Sequence, residues 1–545
     1  MDNHKRIQLW AASIALAALC VGAPATAQDM SFGLEETGQS DAPAKLGKPS
    51  KKMAEANQAF EAKKYEQAAM GYNRVASGKS KDGRGQRQKA QFMLGQTLYD
   101  MGFYQSSLTV FDEISAKGPG HLFFGDTLEW LGKLASKLPE SSGIIEIVGR
   151  YGIGALDEFK EKDPEVYNQL LYLMGRHLYD EANFRQAIDV FQEVDPKSKQ
   201  YVYAKFFEGI SFIRMRQARP AIASFRSILD AVESGDAKGV DKKRMENLAW
   251  ISLARVYYTA ANQGNEIDGV LLGQSVEAWN KVNQSSEYWL DAVFESSWAF
   301  FLADEYSRSL GNVHTLFSPY FDNAFYPEAL VLKAVTFFVN CQVDNADATV
   351  AQFHDRYDPV KAELDAVLAK HQDNADFFEF LKQVQAGEAD LSPRVRPIVA
   401  SALSDRTVLQ HLEYVALLDE EEARLAKTSS EFQGSAIGEK ILEDISLAKA
   451  FAVDTAGDLA RGRYKRLIRE LNDLSNQVDT VELEIATFRR GQIDQELQQQ
   501  MTLAKQSKGG NVEVDEEHQL WPFNGEYWRD ELGFYRQQVT NLCTR

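Results

Sequence analysis

Few residues of this chain have the types and spacing that phosphate binding, metal binding or catalysis requires. Gly78 and Gly83 have the glycine spacing of a phosphate-binding loop. However, Arg84 and Gly85 follow them where such a loop needs a lysine for the phosphates and a serine or threonine for magnesium. We therefore interpret residues 78–87 as a charged surface loop.

Metal ligands and nucleophiles also lack the expected spacing. His354-Asp355 and His371 come nearest to a metal-ligand cluster, but neither an H-E-x-x-H nor a C-x-x-C pattern accompanies them. No G-x-S-x-G nucleophile motif occurs, and acidic helix faces account for the many Asp and Glu residues. We predict no catalytic residues, no metal, no cofactor and no small-molecule substrate.

Length and charge limit the class of protein further. The chain has 545 residues, of which 44% are hydrophobic, and a formal net charge of −19. Phosphate binding needs a concentrated basic surface, so we exclude nucleic acid as a general partner. Since single compact cores rarely exceed roughly 250–300 residues, the chain forms either several domains or one elongated array.

The N-terminus has the pattern of a secretory signal peptide, residues 1–27. Lys5 and Arg6 precede an apolar run over residues 7–23, and Ala25-Thr26-Ala27 supplies a small-x-small cleavage site. An uncleaved anchor is disfavoured because Gln8 shortens the apolar run. We expect cleavage near Ala27, an exported periplasmic protein, and contact with a membrane only during export. Residues 28–50 have no period, and we expect a flexible leader there.

The cysteines leave two alternatives open. Lipidation of Cys20 is disfavoured because Leu19 stands where such sites carry a small residue. After cleavage Cys341 and Cys543 remain, and in an oxidising compartment they could form a disulfide that ties the tail to the rest of the chain. We favour two separate buried thiols, because connectivity cannot be deduced from sequence.

A recurring helix–turn–helix pattern dominates residues 52–355. In its clearest copy, residues 174–194, Gly175 and Ala187 are small and Phe191 is bulky. This copy resembles a tetratricopeptide repeat, a 34-residue unit with small residues where its two helices cross. The positions that carry the resemblance are Gly95, Tyr104, Gly175, Phe184, Ala187, Phe191, Gly209, Ala221 and Phe225.

The resemblance implies a stacked architecture. We expect an all-α protein in which about seven or eight helix pairs form a right-handed α-solenoid with a concave groove. Residues 121–160 are helical in pattern but degenerate as a repeat. The family implies recognition of a protein partner in the groove, without catalysis.

Long helices are expected beyond the array, after a helical linker region over 360–403. Residues 404–505 are rich in helix formers, and we predict one helix over about 437–505, roughly 100 Å long. Its apolar residues alternate spacings of four and three, which is typical of a coiled-coil seam: Leu467, Leu471, Leu474, Val478, Val481, Ile485 and Phe488. We predict an antiparallel hairpin with a helix over 404–430; a homodimer through the seam is the alternative.

The C-terminal tail, residues 506–545, is rich in aromatic side chains. Aromatic rings with polar atoms are frequent contact residues at interfaces, so a partner-docking motif is possible. We favour packing of these rings onto the protein's own helices, because an exposed patch of this size would promote aggregation. The candidate docking residues are Trp521, Phe523, Tyr527, Trp528, Phe534 and Tyr535.

These patterns favour a non-catalytic scaffold of the bacterial cell envelope, with a protein partner in the groove and the coil and tail used for assembly. Two alternatives remain: an envelope factor acting on peptidoglycan or on outer-membrane assembly machinery, and an enzyme within residues 360–545. The order of segments, and the stretch 460–474, are also similar to large periplasmic repeat proteins of gliding and predatory deltaproteobacteria. We carry no motility role over from that similarity.

Overall fold

The structure is a computed structural model that describes residues 45–263, 266–321, 324–404, 406–499, 523 and 525–543. These residues form an all-α solenoid, and no β-strand occurs among them. None of the described helices is both long enough and apolar enough to cross a membrane. The predicted signal peptide, most of the predicted leader, the predicted coil beyond residue 499 and Trp521 lie outside the described residues.

Eight consecutive helix pairs form the array in the described part of the chain, in agreement with the expected seven or eight. The pairs are α1 Lys51–Glu61 and α2 Tyr65–Ala76; α3 Arg84–Met101 and α4 Tyr104–Ala116; α5 Phe124–Leu134 and α6 Ile144–Gly149, with the short α7 Phe159–Lys162 after them; α8 Pro164–Asp180 and α9 Phe184–Gln192; α10 Tyr201–Arg214 and α11 Ala218–Glu233; α12 Lys242–Ala261 and α13 Gly269–Trp279; α14 Trp289–Leu302 and α15 Tyr306–Leu316; α16 Glu328–Val339 and α17 Val343–Lys370.

Five further helices follow the array: α18 Asn374–Ala386, α19 Val395–Ala402, α20 Arg406–Leu425, α21 Ser430–Gln433 and α22 Ala436–Gln499. Helix α17 is one continuous helix over Val343–Lys370, so it extends past the predicted end of the array at residue 355 into the predicted linker region. The 64 residues of α22 correspond to a length of roughly 96 Å at 1.5 Å per residue.

Close crossings explain the small residues of the repeat pattern. A Cβ atom at Gly95, Gly175 or Gly209 would lie 2.7, 2.4 or 2.8 Å from the ring of the phenylalanine 16 residues further along the chain. Ala187 and Ala221, at the second small position, are fully buried. The two helices of these pairs therefore approach each other at a distance that leaves no room for a larger side chain.

A shared turn joins the helices within six pairs. The residue two positions before each second helix has a positive φ, and the next residue donates its N–H to a carbonyl five residues back. This bonding pattern is that of a Schellman cap, which satisfies carbonyl groups at a helix C-terminus. The positive-φ residues are Lys63, Gly102, Ala182, Arg216, Asp304 and Cys341. Because only one of them is glycine, the residue types did not reveal this regularity.

Residues 406–499, which we call the brace, connect the two ends of the array. Near the start of α22, Lys440 Nζ lies 2.5 Å from Glu113 Oε1 on α4. Further along, Tyr464 packs edge-on against Phe377 of α18. Near its end, Phe488 packs against Phe338 of α16. The brace therefore adds contacts between distant repeats to an array in which each repeat otherwise contacts only its neighbours.

The predicted seam is buried within the chain. Leu467, Leu471, Val478 and Ile485 are 5%, 2%, 1% and 1% exposed, and α22 packs on α16, α17 and α18. Because these side chains are covered by the chain's own helices, the seam is not available for the homodimer considered as an alternative.

The predicted partner of the seam was wrong, although the predicted hairpin exists. Helix α20 packs against α22, and an ion pair between Asp419 and Lys449 joins the two helices. The 20 residues of α20 extend only about 30 Å from the turn that joins it to α22. Leu467, the first residue of the seam, lies 31 residues after the start of α22, a distance of about 46 Å along the helix. Helix α20 is thus too short to cover the seam, and helices of the array and α18 cover it instead.

A buried carboxyl group fixes the brace to the second repeat. Glu421 on α20 is 2% exposed, and its carboxylate oxygens accept hydrogen bonds of 3.1 and 3.3 Å from the backbone N–H of Gln105. Gln105 lies in the first turn of α4, whose N-cap residue Phe103 makes no side-chain capping bond. Glu421 therefore caps a helix that is 316 residues away in sequence. Burial raises the pKa of Glu421 to about 7.

The crossing glycines yield a stability prediction. We expect Gly175→Ala to destabilise the fold by roughly 1–3 kcal/mol, the usual cost of overpacking, because the new Cβ would meet Phe191. Gly273→Ala is the matched control, since it is a helical glycine with no atom within 4 Å of its Cβ position. Urea unfolding followed by circular dichroism checks both variants. Equal midpoints for the two would contradict the crossing geometry.

The contact of Glu421 with α4 should depend on pH. Its pKa in the fold, about 7, lies above that of an exposed glutamate, about 4.3. Its contribution is therefore complete below about pH 4.3 and is lost as the pH rises through 7. Hydrogen exchange of peptides from the start of α4, corrected for intrinsic rates, should be several-fold faster at pH 8 than at pH 5.5.

Glu421→Gln keeps an acceptor for Gln105 but cannot ionise, so this variant should lose most of the pH dependence. Burial also raises the pKa of Asp444 to about 6 and that of Glu328 to about 7, so a smaller dependence should remain. A profile identical to that of the wild type would show that another group controls the contact.

Candidate interaction surface

The C-terminal tail lies on the last repeats of the array and runs antiparallel to α15. Gly533 N–H donates to Thr315 Oγ1 at 3.0 Å. Further along the tail, Gln537 N–H donates to the carbonyl of Ser307, also at 3.0 Å. These bonds fix the direction and register of an extended segment, so the described residues 525–543 form part of the folded protein.

Gly311 allows the tail to approach α15 closely. A Cβ atom at this position would lie 1.6 Å from the carbonyl oxygen of Tyr535 and 2.4 Å from its carbonyl carbon. Since both contacts are with tail backbone, a shift of side chains could not relieve them. Gly311 is therefore required for the docked position of the tail.

His314, one helical turn further along α15, contacts three aromatic side chains of the tail. Its ring is stacked on Tyr527 at 4.6 Å and meets Phe523 and Tyr535 edge-on at 4.7 and 5.2 Å. Burial, assisted by the charge of Lys333, lowers the pKa of His314 to about 4. A neutral imidazole thus serves as an aromatic packing surface at neutral pH.

The predicted docking residues divide into two groups. Tyr535 is buried and Tyr527 is partly buried, as expected if the tail packs on the protein's own helices. In contrast, Phe523, Trp528 and Phe534 are 49%, 47% and 73% exposed. Sequence reasoning missed Tyr320, which is 56% exposed and whose hydroxyl lies 3.5 Å from the carbonyl oxygen of Tyr527.

A disulfide between Cys341 and Cys543 anchors the end of the tail. The preference for two separate thiols was wrong, because docking of the tail brings together cysteines that are 202 residues apart in sequence. Cys341 is the positive-φ residue of the turn between α16 and α17. Leu542 N–H donates to the carbonyl of Asn340, and Gln342 Nε2 donates to that of Thr540. This end of the tail is therefore held by covalent and hydrogen bonds.

The loop that resembles a phosphate site has a structural role. Ser50, the N-cap of α1, donates its backbone N–H to Asp82 Oδ1 at 2.8 Å and its hydroxyl to Oδ2 at 2.5 Å. Although burial opposes it, hydrogen bonding by Ser50 and Ser80 lowers the pKa of Asp82. Asp82 thus ties the loop to the N-terminus of α1.

A partly buried ion pair joins consecutive repeats. Arg255 on α12 forms hydrogen bonds of 2.6 and 2.9 Å to Oε1 of Glu295 on α14. Trp279 Nε1 donates to Oε2 of the same carboxylate at 3.0 Å. Burial nevertheless raises the pKa of Glu295, and the charge of Arg255 opposes this shift. Because its oxygens are occupied by these donors, Glu295 has a structural role between repeats.

Gly311→Ala should displace the tail while leaving the array folded. We expect hydrogen exchange of peptides containing Gly533 and Gln537 to become at least tenfold faster, because the new Cβ excludes the backbone at Tyr535. Peptides of α8 and α9 should keep their exchange rates. Gly462→Ala, whose Cβ would meet no atom within 4 Å, provides the control. Unchanged tail protection in Gly311→Ala would contradict the docked position.

No protein-family model matches this chain, and no curated protein sequence does. Among solved structures, the chain is similar to the APC/C hetero-tetramer Cut9–Hcn1, with 12% identity over 81% of this chain and 94% of that chain and a TM-score of 0.20. It is also similar to a circular tandem repeat protein, with 12% identity over 79% of this chain and 96% of that chain and a TM-score of 0.12. Both TM-scores are too low to establish a shared arrangement of the helices.

Proposed function

We propose that this chain is an exported, non-catalytic scaffold of the bacterial cell envelope that binds a protein partner through its docked tail and its repeat groove. The observation that carries the proposal is the tail itself. It is fixed to the array by a disulfide, yet Trp528 and Phe534 remain 47% and 73% exposed. Aromatic side chains held in this way are frequent anchors of protein interfaces.

The disulfide supports the compartment assigned by the proposal. Structural disulfides persist in oxidising compartments such as the bacterial periplasm and are rare in the cytosol. A cleaved signal peptide ending near Ala27 would deliver the chain to such a compartment. The pairing of Cys341 with Cys543 is therefore consistent with export.

The brace supports a role as a scaffold. Its main contacts with the array are on the first three pairs and the last pair, so the proposed groove corresponds to the four pairs between them, residues 164–316. An array joined at both ends changes shape less than an open solenoid, and a preorganised surface loses less entropy when a partner binds.

Photo-crosslinking in cells tests the docked tail directly. A benzophenone amino acid at Phe534 should give one discrete crosslinked protein. The same probe at Phe451 of the brace, which is 63% exposed, should not give that product. Trp528→Ala combined with Phe534→Ala should reduce recovery of the partner at least tenfold, whereas Phe451→Ala should not.

Failure of crosslinking at residue 534, or the same product from both positions, would contradict the tail as a docking surface. Should crosslinking fail while the wild-type protein pellets with purified sacculi, the alternative of a peptidoglycan-acting envelope factor would replace the scaffold.

A further inference from the structure

A histidine and two carboxylates meet where the end of the brace packs on the last helix of the array. His354 lies on α17, and Asp479 and Glu482 lie three residues apart on α22. One donor atom from each side chain lies within 4.8 Å of the other two. His354 Nε2 is 3.4 Å from Asp479 Oδ1. This cluster combines donors from two elements that are more than 100 residues apart in sequence.

The spacing of the first two donors matches that of metal ligands. Two ligands that are each 2.1 Å from a tetrahedral zinc ion lie about 3.4 Å apart. Glu482 is exposed, so its side chain can rotate to bring an oxygen to the same distance. The three residues therefore fit one ion with little movement of the backbone.

A further carboxylate orients the imidazole. His354 Nδ1 lies 3.2 Å from Asp358 Oδ2, one turn further along α17. If Nδ1 carries the proton and donates it to Asp358, the lone pair of Nε2 faces Asp479. Histidine ligands in metal sites usually make this kind of bond through the nitrogen that does not bind the metal.

The charges around the cluster also favour a cation. Arg489 lies in the same cleft, but its guanidinium pairs with Asp344 at 3.0 Å and Asp347 at 3.1 Å. Among the described residues, no Lys or Arg lies within ion-pair distance of Asp479 or Glu482. Within the described part of the chain, the two carboxylates thus place negative charge next to the imidazole without forming an ion pair with Lys or Arg.

We propose that His354, Asp479 and Glu482 bind one divalent transition-metal ion, with zinc as the best match, and that water completes its coordination. An imidazole nitrogen with two carboxylates suits zinc, whereas magnesium and calcium prefer oxygen ligands alone. The ion would join α17 to α22 and hold the end of the brace on the last repeat. This site is independent of the proposed partner surface on the tail.

Calorimetric titration of the metal-free full-length protein with zinc chloride tests the site. The wild type should bind one zinc ion per chain with a dissociation constant in the micromolar range or lower, and it should not bind magnesium comparably. His354→Gln and Asp479→Asn should each weaken zinc binding at least tenfold, because each removes one ligand. The controls His371→Gln and Glu484→Gln remove a histidine and a carboxylate outside the cluster and should leave binding unchanged.

Hydrogen exchange supplies a second measurement that reports on position. Zinc should slow exchange in peptides around residues 350–358 and 476–484 of the wild type, and it should not do so in His354→Gln. Circular dichroism of each variant excludes misfolding as the cause of lost binding. Absence of a tight site, or weak binding at several sites that the substitutions do not change, would mean an adventitious ion only and would overturn the proposal. So would a tight site that persists in both ligand variants.

Discussion

The architecture depends on one constraint: a helix pair cannot bury its apolar face by itself. Within an array the next pair covers that face, but the first and last pairs lack a neighbour on one side. In this chain the brace supplies part of the missing cover. Helix α22 packs on α2 and α4 near one end of the array and on α16 and α17 near the other. A single continuous helix thus links the stability of the two ends.

Polar groups at the contacts of the brace make that link sensitive to pH. Glu421 is buried between α20 and α4. Glu328 of α16 is partly buried, and the charge of Glu470 on α22 raises its pKa further. Burial is the main cause of the raised pKa in both carboxyl groups. Ionisation of either group would add charge to a contact with little solvent, so we expect these two contacts to weaken as the pH rises through 7.

The sequence predicted local features far better than long-range ones. The crossings at Gly175 and Phe191 could be predicted because their spacing lies within one repeat. The capping turns could not, since Lys63 and Asp304 give no sign of a positive φ. Likewise, periodicity shows which face of α22 is apolar but not which helix covers it. The docked tail has no period at all, and its position depends on Gly311, a glycine in another element.

The division of the tail's aromatic residues argues for a role beyond stability. Tyr535 and Leu532 are buried, and the ring of Tyr535 packs on His314 of α15. Phe534, between them and 73% exposed, adds little to that packing. An exposed phenylalanine on a mobile segment would lose considerable conformational entropy on binding. Here hydrogen bonds and the disulfide have already ordered the backbone, so a partner that covers Phe534 gains apolar contact without ordering the tail.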